Sequence, residues 1–395
     1  MKLFQRLLVA PAALGLFSPL VANATEVNLN NISNYSDVES IDLVNSFDNE
    51  KPSESPKLAG GEGLIDSYSP SGGFSDTTTA SFSVDFGIGS VDGLGIATGD
   101  TEGDESIQAV YGFQIDLNTS FTGEDSLDIS LDAGNGSSTG ALSELDLNGY
   151  GATSADSDKL VVDGISYTFP VGDSVTMIVG DNTDGSALFT TACVYGGPSN
   201  TLDDCGNVNA GITNGGVAVG AVYDCDNGWT AAVGYAAAET GLMTNATTDA
   251  YGVNGAYTGD NYGVSLTYGY VETGVNGVTE NYYTALNGYY SFDFGWSISG
   301  GYEVGDIGAN ADAADESINW FLGINGELGS GELGAAVGTS GGQTENTETE
   351  HMGEVYYSYP VNDGMTITPL IYIKEQATGG TPDQTGVMVK TSFSF

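Results

Sequence analysis

The last residues of the chain, Thr385 to Phe395, read TGVMVKTSFSF. Apolar and polar side chains alternate along this segment, and a period of two residues is typical of a β-strand. One face carries four apolar side chains: Val387, Val389, Phe393 and Phe395. The other face carries a lysine and two serines. The apolar face therefore needs an apolar surrounding, which either the rest of the chain or the environment must supply.

The same alternation continues back to Thr77, in short segments separated by turn residues. Connections at Asp226, Thr258 and Asn362 contain Gly with Asn or Asp, which adopt positive φ at low cost and favour tight hairpins. Other connections are longer and rich in Gly, Asn, Thr and acidic residues: 181–215, 273–279, 305–316, 340–350 and 375–384. No window shows helical periodicity. The pattern predicts an all-β fold of about 16 strands.

The N-terminal segment predicts export. Lys2 and Arg6 precede an apolar stretch, and Ala22-Asn23-Ala24 ends it with small residues. This is the pattern of a secretory signal peptide over residues 1–24; a membrane anchor is the alternative. Residues 25–73 are polar and poor in aromatic residues, which predicts a flexible arm. Residues 74–395 form the predicted β-domain.

Charge excludes several classes of partner. The chain has 53 acidic residues against 7 basic ones. Because Lys2 and Arg6 lie in the leader, 7 − 2 = 5 lysines remain in the mature chain. Such a surface repels nucleic acid and attracts cations. No stretch of the mature chain is apolar over the ~18 or more residues that a spanning helix requires.

Short turns that alternate with long polar loops, an even number of strands and an export signal together predict a transmembrane antiparallel β-barrel. In hydrocarbon every backbone N–H and C=O group needs a partner within the protein, so a sheet can span a lipid bilayer only if it closes. Such barrels have apolar outer faces, polar lumens, long outer loops and aromatic girdles. Candidate girdle residues are Tyr289, Tyr290, Phe292, Tyr356, Tyr357 and Tyr359.

Several segments resemble the cyanobacterial outer-membrane porins related to the OprB-type carbohydrate-selective porin family. They are the N-terminal MKLFQRLLVAPAALGL, FQIDLNTSFTGEDSLDISLDAGN (113–135), ISYTFPVGD (165–173), YDCDNGW (223–229) and VKTSFSF (389–395). The resemblance implies a barrel of sixteen strands with an inward-folded loop, assembly into a homotrimer, and recognition of the final strand by the outer-membrane assembly machinery. Carbohydrate transport is suggested by the resemblance alone.

Two departures from the family pattern limit what the resemblance implies. Only NISNYSDVES (31–40) stands where such porins carry an S-layer homology domain, so cell-wall binding is not inferred. The family also has basic residues where this chain has Asp128 and Asp132. The preference of those porins for anions is therefore not carried over.

The predicted functional site is the lumen, because charged rings set the selectivity of channels. Candidate pore-lining residues on the polar faces are Gln114, Asp116, Asp128, Ser130, Asp132, Lys374 and Lys390; the alternative is that they are solvated wall residues away from the constriction. Segment 181–215 is the candidate constriction loop, with Asp203 and Asp204 lining the pore, or else an extracellular loop. A Cys193–Cys205 disulfide is plausible in an exported protein, and three free thiols are the alternative.

These features predict passive diffusion of small hydrophilic solutes and ions, with a preference for cations and without a cofactor or bound metal. A secreted calcium-binding surface or adhesion protein is the alternative, because Gly-Asp steps recur, but the calcium-binding repeat is absent. An enzyme is not predicted. The only histidine, His351, lies beside Glu350 at a loop edge with no serine motif nearby, and is interpreted as solvated.

Overall fold

The computed structural model describes residues 78–93, 106–136, 141–145, 147, 158–213, 216–244, 247–273, 279–308, 316–340, 349–376 and 383–395. The predicted signal peptide and N-terminal arm lie outside these residues. Over the described part of the chain, no helix is both long and apolar enough to cross a membrane.

Sixteen antiparallel strands close into one barrel in which each strand pairs with its neighbours in sequence and β1 pairs with β16. The prediction of an all-β, closed antiparallel barrel is confirmed. The strands are β1 Thr78–Asp92, β2 Gln108–Thr119, β3 Ser126–Gly134, β4 Val161–Val171, β5 Val175–Asp181, β6 Val217–Asp224, β7 Trp229–Ala237, β8 Asp249–Thr258, β9 Tyr262–Thr273, β10 Thr279–Ser291, β11 Trp296–Ile307, β12 Glu316–Leu328, β13 Gly331–Thr339, β14 His351–Asn362, β15 Met365–Lys374 and β16 Gln384–Ser394.

The barrel has a short-turn end and a long-loop end. Seven short connections lie at one end: 120–125, 172–174, 225–228, 259–261, 292–295, 329–330 and 363–364. At Asp226, the positive φ of 59° needed by the hairpin is adopted by a residue type that tolerates it. Most connections at the other end are longer. Connection 274–278 is an exception, since β9 and β10 extend further than the sequence pattern indicated.

Closure of the barrel involves the C-terminal residue itself. The Phe82 N–H donates to the Phe395 carbonyl and the Phe395 N–H donates to the Phe82 carbonyl, each at 3.0 Å. The Phe395 ring stacks on the Phe82 ring with centroids 5.6 Å apart. Phe393 contacts Phe86 edge to face. The apolar row of β16 therefore lies on the outside of the barrel beside the apolar row of β1.

Alternation separates an apolar outer face from a polar inner one. On β9 the outer residues Val264 and Leu266 are exposed, whereas Ser265 and Thr267 face inward and are 1% exposed. The same division holds for most strands. The girdle assignment is wrong for Tyr289 and Tyr356, because both fall on the inner face. Tyr356 is 1% exposed and packs against Tyr195 inside the barrel.

The β2–β3 turn is organised around one carboxylate. Asp125 accepts hydrogen bonds from the hydroxyls of Tyr167 (2.6 Å), Thr122 (2.7 Å) and Ser120 (2.8 Å), and from the N–H of Thr122 (2.7 Å). The Tyr167 hydroxyl, and then the Thr122 donors, hold the pKa of Asp125 well below its usual range.

Asp125→Asn is expected to destabilise the barrel at pH 7. A depressed folded-state pKa contributes stability above the unfolded value of about 4, and this contribution is lost as the pH falls below that value. The difference in unfolding midpoint between the parent and the variant should therefore shrink between pH 5 and pH 3, as heat-modifiable gel mobility would measure. A difference that stays constant with pH would contradict this origin.

Candidate functional site: the barrel lumen

The inner wall of β2 and β3 carries a row of carboxylates. The structure places Gln114, Asp116, Asp128, Ser130 and Asp132 on the inner face, with Gln114 paired across the strands to Asp132 and Asp116 to Ser130. Gln114 Nε2 and the Ser130 hydroxyl each donate to Asp116 Oδ1 at 2.7 Å. Both donors are neutral, so they do not offset the charge of the Asp116 carboxylate.

The same wall carries further carboxylates. Asn118 Nδ2 donates to Asp128 Oδ1 at 2.6 Å, which again leaves the charge in place. The Asp132 carboxylate lies close to those of Asp116 and Asp163, and its Oδ1 is buried without a hydrogen-bond partner in the described part of the chain. Asp163 belongs to β4, where a register shift opposite β3 interrupts the regular alternation. That irregularity explains why the sequence pattern did not predict Asp163 as a wall residue.

Both lysines predicted to line the pore are paired with carboxylates. Lys374 Nζ lies 2.8 Å from Glu144 Oε1 and also donates to the Thr201 hydroxyl at 3.1 Å. Lys390 Nζ lies 3.5 Å from Asp85 Oδ2. Neither lysine therefore offsets the carboxylates of the β2–β3 wall.

Loop 182–216, between β5 and β6, lies inside the barrel. Its backbone N–H groups donate to inward side chains of successive strands: Thr190 to Asn254 (3.0 Å), Ala192 to Ser265 (2.9 Å) and Val194 to Ser299 (3.1 Å). Buried backbone groups need such partners. The polar residues on the inner faces of β8 to β12 therefore hold the loop.

Glu303 on β11 is the most fully bonded of these anchors. It is 0% exposed. Its Oε2 accepts from the N–H groups of Asn209 and Ala210, both at 2.8 Å. Its Oε1 accepts from Asn209 Nδ2 at 2.8 Å and Asn319 Nδ2 at 3.0 Å. A buried charge is tolerated only when it is bonded in this way, so Glu303 fixes the returning half of the loop.

A second carboxylate anchors the tip of the loop. The Tyr195 hydroxyl donates to Glu354 Oε1 on β14 at 2.7 Å, and the Tyr195 ring packs on Phe321 and Tyr356. Burial, and then the Glu354 carboxylate, raise the pKa of the Tyr195 hydroxyl well above its usual range. The phenol therefore keeps its proton and remains the donor.

The loop is also cross-linked. Cys193 and Cys205 form a disulfide, and Cys225 in the β6–β7 turn is a free, exposed thiol. Asp203 and Asp204 lie immediately before Cys205 and are exposed, as are other residues of the inner loop such as Thr191, Val194 and Asn200. Their place on a loop inside the barrel is compatible with a position beside the open part of the lumen.

Reduction of the Cys193–Cys205 disulfide is expected to loosen the inner loop without opening the barrel. Closing a loop of about this size is worth roughly 2–4 kcal/mol in the chain-entropy model. Dithiothreitol should therefore increase open-channel current noise in planar bilayers, and Cys193→Ser/Cys205→Ser should reproduce this. Cys225→Ser is the matched control, and identical noise in both variants would contradict the proposed role.

A second segment, 141–147, also lies inside the barrel. It contains a 3-10 helix (Ser143–Leu145) whose residue Leu145 is 0% exposed and belongs to a buried apolar cluster with Val91, Met352, Leu370, Tyr372 and Met388. Glu144 joins this segment to the inner loop, because its carboxylate accepts from the Thr201 hydroxyl at 2.9 Å and its carbonyl accepts from the Asn200 N–H at 3.0 Å. The sequence pattern predicted one inward-folded loop but not this second segment in the lumen.

Other candidate sites are not developed in the described residues. No group of three or more His, Cys, Asp or Glu side chains there is arranged to hold a metal ion. The interpretation of the His351 side chain as merely solvated is wrong. Its Nδ1 lies 2.9 Å from Glu375 Oε2, so the ring has a carboxylate partner.

Comparison with known proteins supports the fold. No family model matches the chain, and no curated protein is similar to it. Solved structures do match. Two variants of the porin of Rhodopseudomonas blastica superpose with TM-scores of 0.55 and 0.53, at 15% and 14% identity. Each comparison covers 80% of this chain and all of the porin.

The chain therefore has the sixteen-stranded barrel fold of bacterial porins. A cyanobacterial origin and membership of the OprB-type family stay predictions, because they rest on the motif resemblance.

Proposed function

We propose that this protein is an outer-membrane porin through which small hydrophilic solutes and ions diffuse passively. One combination of features carries the proposal. The barrel is closed and covered outside by exposed apolar side chains such as Leu286 (53%) and Val387 (55%), while its inside holds carboxylates, amides and a folded loop. An apolar exterior around a polar interior matches a hydrocarbon surrounding and an aqueous path.

The proposed preference is for cations. The carboxylates of Asp116 and Asp128 are bonded to neutral donors and Asp132 makes no ion pair within the described residues, whereas Lys374 and Lys390 are each paired with an acid. Acidic walls favour cations in channels. Sugars belong to the proposal only through the motif resemblance.

Replacing Asp116, Asp128 and Asp132 together by asparagine is expected to reduce the cation preference. At about 10 Å in water, one unit charge contributes about 0.4 kcal/mol, or roughly twofold in the occupancy of an ion. The triple variant should therefore lower the cation-to-anion permeability ratio several-fold, as reversal potentials under a salt gradient would show.

A matched control is Asp226→Asn/Asp260→Asn/Asp293→Asn, which removes three charges from turns at the short-turn end. Its permeability ratio should stay near that of the parent. Anion preference in the parent protein would overturn the proposed selectivity, and the absence of channels would overturn the porin proposal itself.

Location and assembly extend the proposal. Residues 1–24 would direct export, and β16, with Val387, Val389, Phe393 and Phe395 on its outer face, would be recognised by the outer-membrane assembly machinery. A homotrimer is proposed by analogy with porins, and the mass of the detergent-solubilised complex tests it. The continuous apolar exterior disfavours the alternative of a secreted calcium-binding surface protein, which chelator would release from cells without detergent.

A further inference from the structure

A groove of about 540 Å³ lies on the barrel wall at the long-loop end of β10, β11 and β12. Its lining includes Tyr282, Tyr302, Val304, Ile318, Asp306 and Glu316. These side chains belong to the outer face, because Glu303 and Asn319, which alternate with them along β11 and β12, are buried inside the barrel. The groove is therefore outside the pore and open to the surroundings of the barrel.

Four carboxylates that make no ion pair within the described residues lie at the long-loop end of β9 to β12, in or beside the groove. Asp306 on β11 lies directly opposite Glu316 on β12, and Glu272 on β9 lies opposite Glu280 on β10. The Tyr282 hydroxyl, on the groove wall, donates to Glu280 Oε2 at 2.9 Å. Like charges directly opposite each other on neighbouring strands destabilise a sheet. This end of the groove thus has a strong, uncompensated negative potential.

Among the described residues, Lys159, Lys374 and Lys390 are the only lysines or arginines, and Lys374 and Lys390 pair with Glu144 and Asp85. No ion pair of these four carboxylates occurs within the described residues, and no lysine or arginine stands anywhere between Lys159 and Lys374 in the sequence. Three of the four acids, Glu280, Asp306 and Glu316, lie at the long-loop end of the three strands that line the groove. Within the described residues these charges are therefore uncompensated, and this end of the groove is complementary to a cationic group.

The rest of the groove is apolar. Val304 and Ile318 are paired across β11 and β12, and each is 43% exposed. Further along the outer face, towards the middle of the barrel, the exposed Leu286 and Leu322 continue the apolar surface. The groove therefore has a negatively charged end and an apolar surface that runs along the barrel wall.

We propose that this groove binds an amphiphile that has an ammonium head group and an alkyl chain. The ammonium group lies between Asp306 and Glu316, close to Glu280, and the alkyl chain lies along Tyr302, Val304 and Ile318. The inference rests on the membrane placement given under the proposed function. The site therefore lies on the lipid-facing wall of the barrel and does not bind the transported solute.

Trp320 allows a direct test. It is paired with Tyr302 across β11 and β12 and is the only tryptophan near the long-loop end, since Trp229 and Trp296 begin strands at the short-turn end. In a Trp229→Phe/Trp296→Phe background in neutral maltoside detergent, we would titrate a chain-brominated dodecyltrimethylammonium and record quenching of Trp320. Saturable quenching is expected, with at least fivefold weaker quenching by a chain-brominated dodecyl sulfate.

Asp306→Asn/Glu316→Gln is expected to weaken the apparent affinity of the ammonium probe by about five- to tenfold, the sum of two partly exposed charge interactions. Asp249→Asn/Glu239→Gln, which removes two charges at the long-loop end of β7 and β8, is the matched control and should bind like the parent. Heat-modifiable mobility of each variant verifies that it folds.

Several results would overturn the inference. Equal quenching by both probes would show that the groove recognises only alkyl chains. Tighter binding of the sulfate probe in the presence of Mg²⁺ would assign the carboxylates to a divalent cation that bridges anionic head groups. If the parent protein conducts normally but shows no specific quenching, the proposed groove site is rejected and the porin proposal stands. If it shows specific quenching but no conductance, the porin proposal is rejected and the groove site stands.

Discussion

Replacing Glu303 with alanine is expected to release the returning half of the inner loop and to raise the single-channel conductance. The change leaves the N–H groups of Asn209 and Ala210 and the amides of Asn209 and Asn319 without their acceptor. Each unpaired buried donor costs about 1–3 kcal/mol, so the loop should leave the wall and move for part of the time. Larger and noisier currents in planar bilayers would record this.

Two variants make the test specific. Glu303→Gln keeps one acceptor oxygen but places an NH2 group against the donors that the other oxygen accepts from in the parent. It should therefore give a conductance between those of the parent and Glu303→Ala. Glu327→Ala removes an exposed carboxylate from the short-turn end of β12 and should behave like the parent. If Glu303→Ala conducts as the parent does, with the same noise, Glu303 is not what holds the loop in place.

Deletion of Phe395 is expected to cause the largest loss of folded protein. It removes both backbone hydrogen bonds with Phe82 and the stacking of the two rings at the point where the barrel closes. Aromatic pairs contribute about 0.5–1.5 kcal/mol beyond their burial, and the two hydrogen bonds contribute a similar amount each. The amount of heat-modifiable barrel in outer-membrane fractions should therefore fall sharply.

Refolding of the purified variant in detergent separates two causes of that loss. If the deletion mainly removes a recognition signal for the assembly machinery, refolding in vitro should remain efficient while the yield in cells falls. If it mainly weakens closure, both should fall. Phe294→Ala, which alters an exposed aromatic residue in the β10–β11 turn, is the control. Unchanged yield in cells after deletion of Phe395 would contradict both roles.

The strands and their two faces could be predicted because they depend on local chemistry. A period of two residues assigns a face to every side chain once a strand is recognised, and Gly with Asn or Asp marks the tight turns. The inward positions of Asp116, Asp128, Lys374 and Lys390 follow from that rule. Tyr356 shows its limit, because an aromatic residue near a strand end was assigned to a girdle although its position in the alternation places it inside.

The interior of the barrel could not be predicted in the same way. Glu303 stands in the segment GGYEVGD with nothing in its neighbours to mark it as a buried anchor. Its partners Asn209 and Ala210 are 94 and 93 residues away in the sequence and reach it only when the loop folds into the barrel. The apolar residues of segment 141–147 likewise gain their partners, such as Met388 and Tyr372, only from the far side of the closing seam.

By itself, the sequence determined that the chain is a closed antiparallel sheet with an apolar exterior, because alternation and turn chemistry act between neighbouring residues. Only the tertiary structure decided which segments enter the lumen, which carboxylates are buried in hydrogen bonds and which still face water. Those properties depend on contacts between residues up to 230 positions apart, as in the bond between Lys374 and Glu144, and no local pattern encodes them.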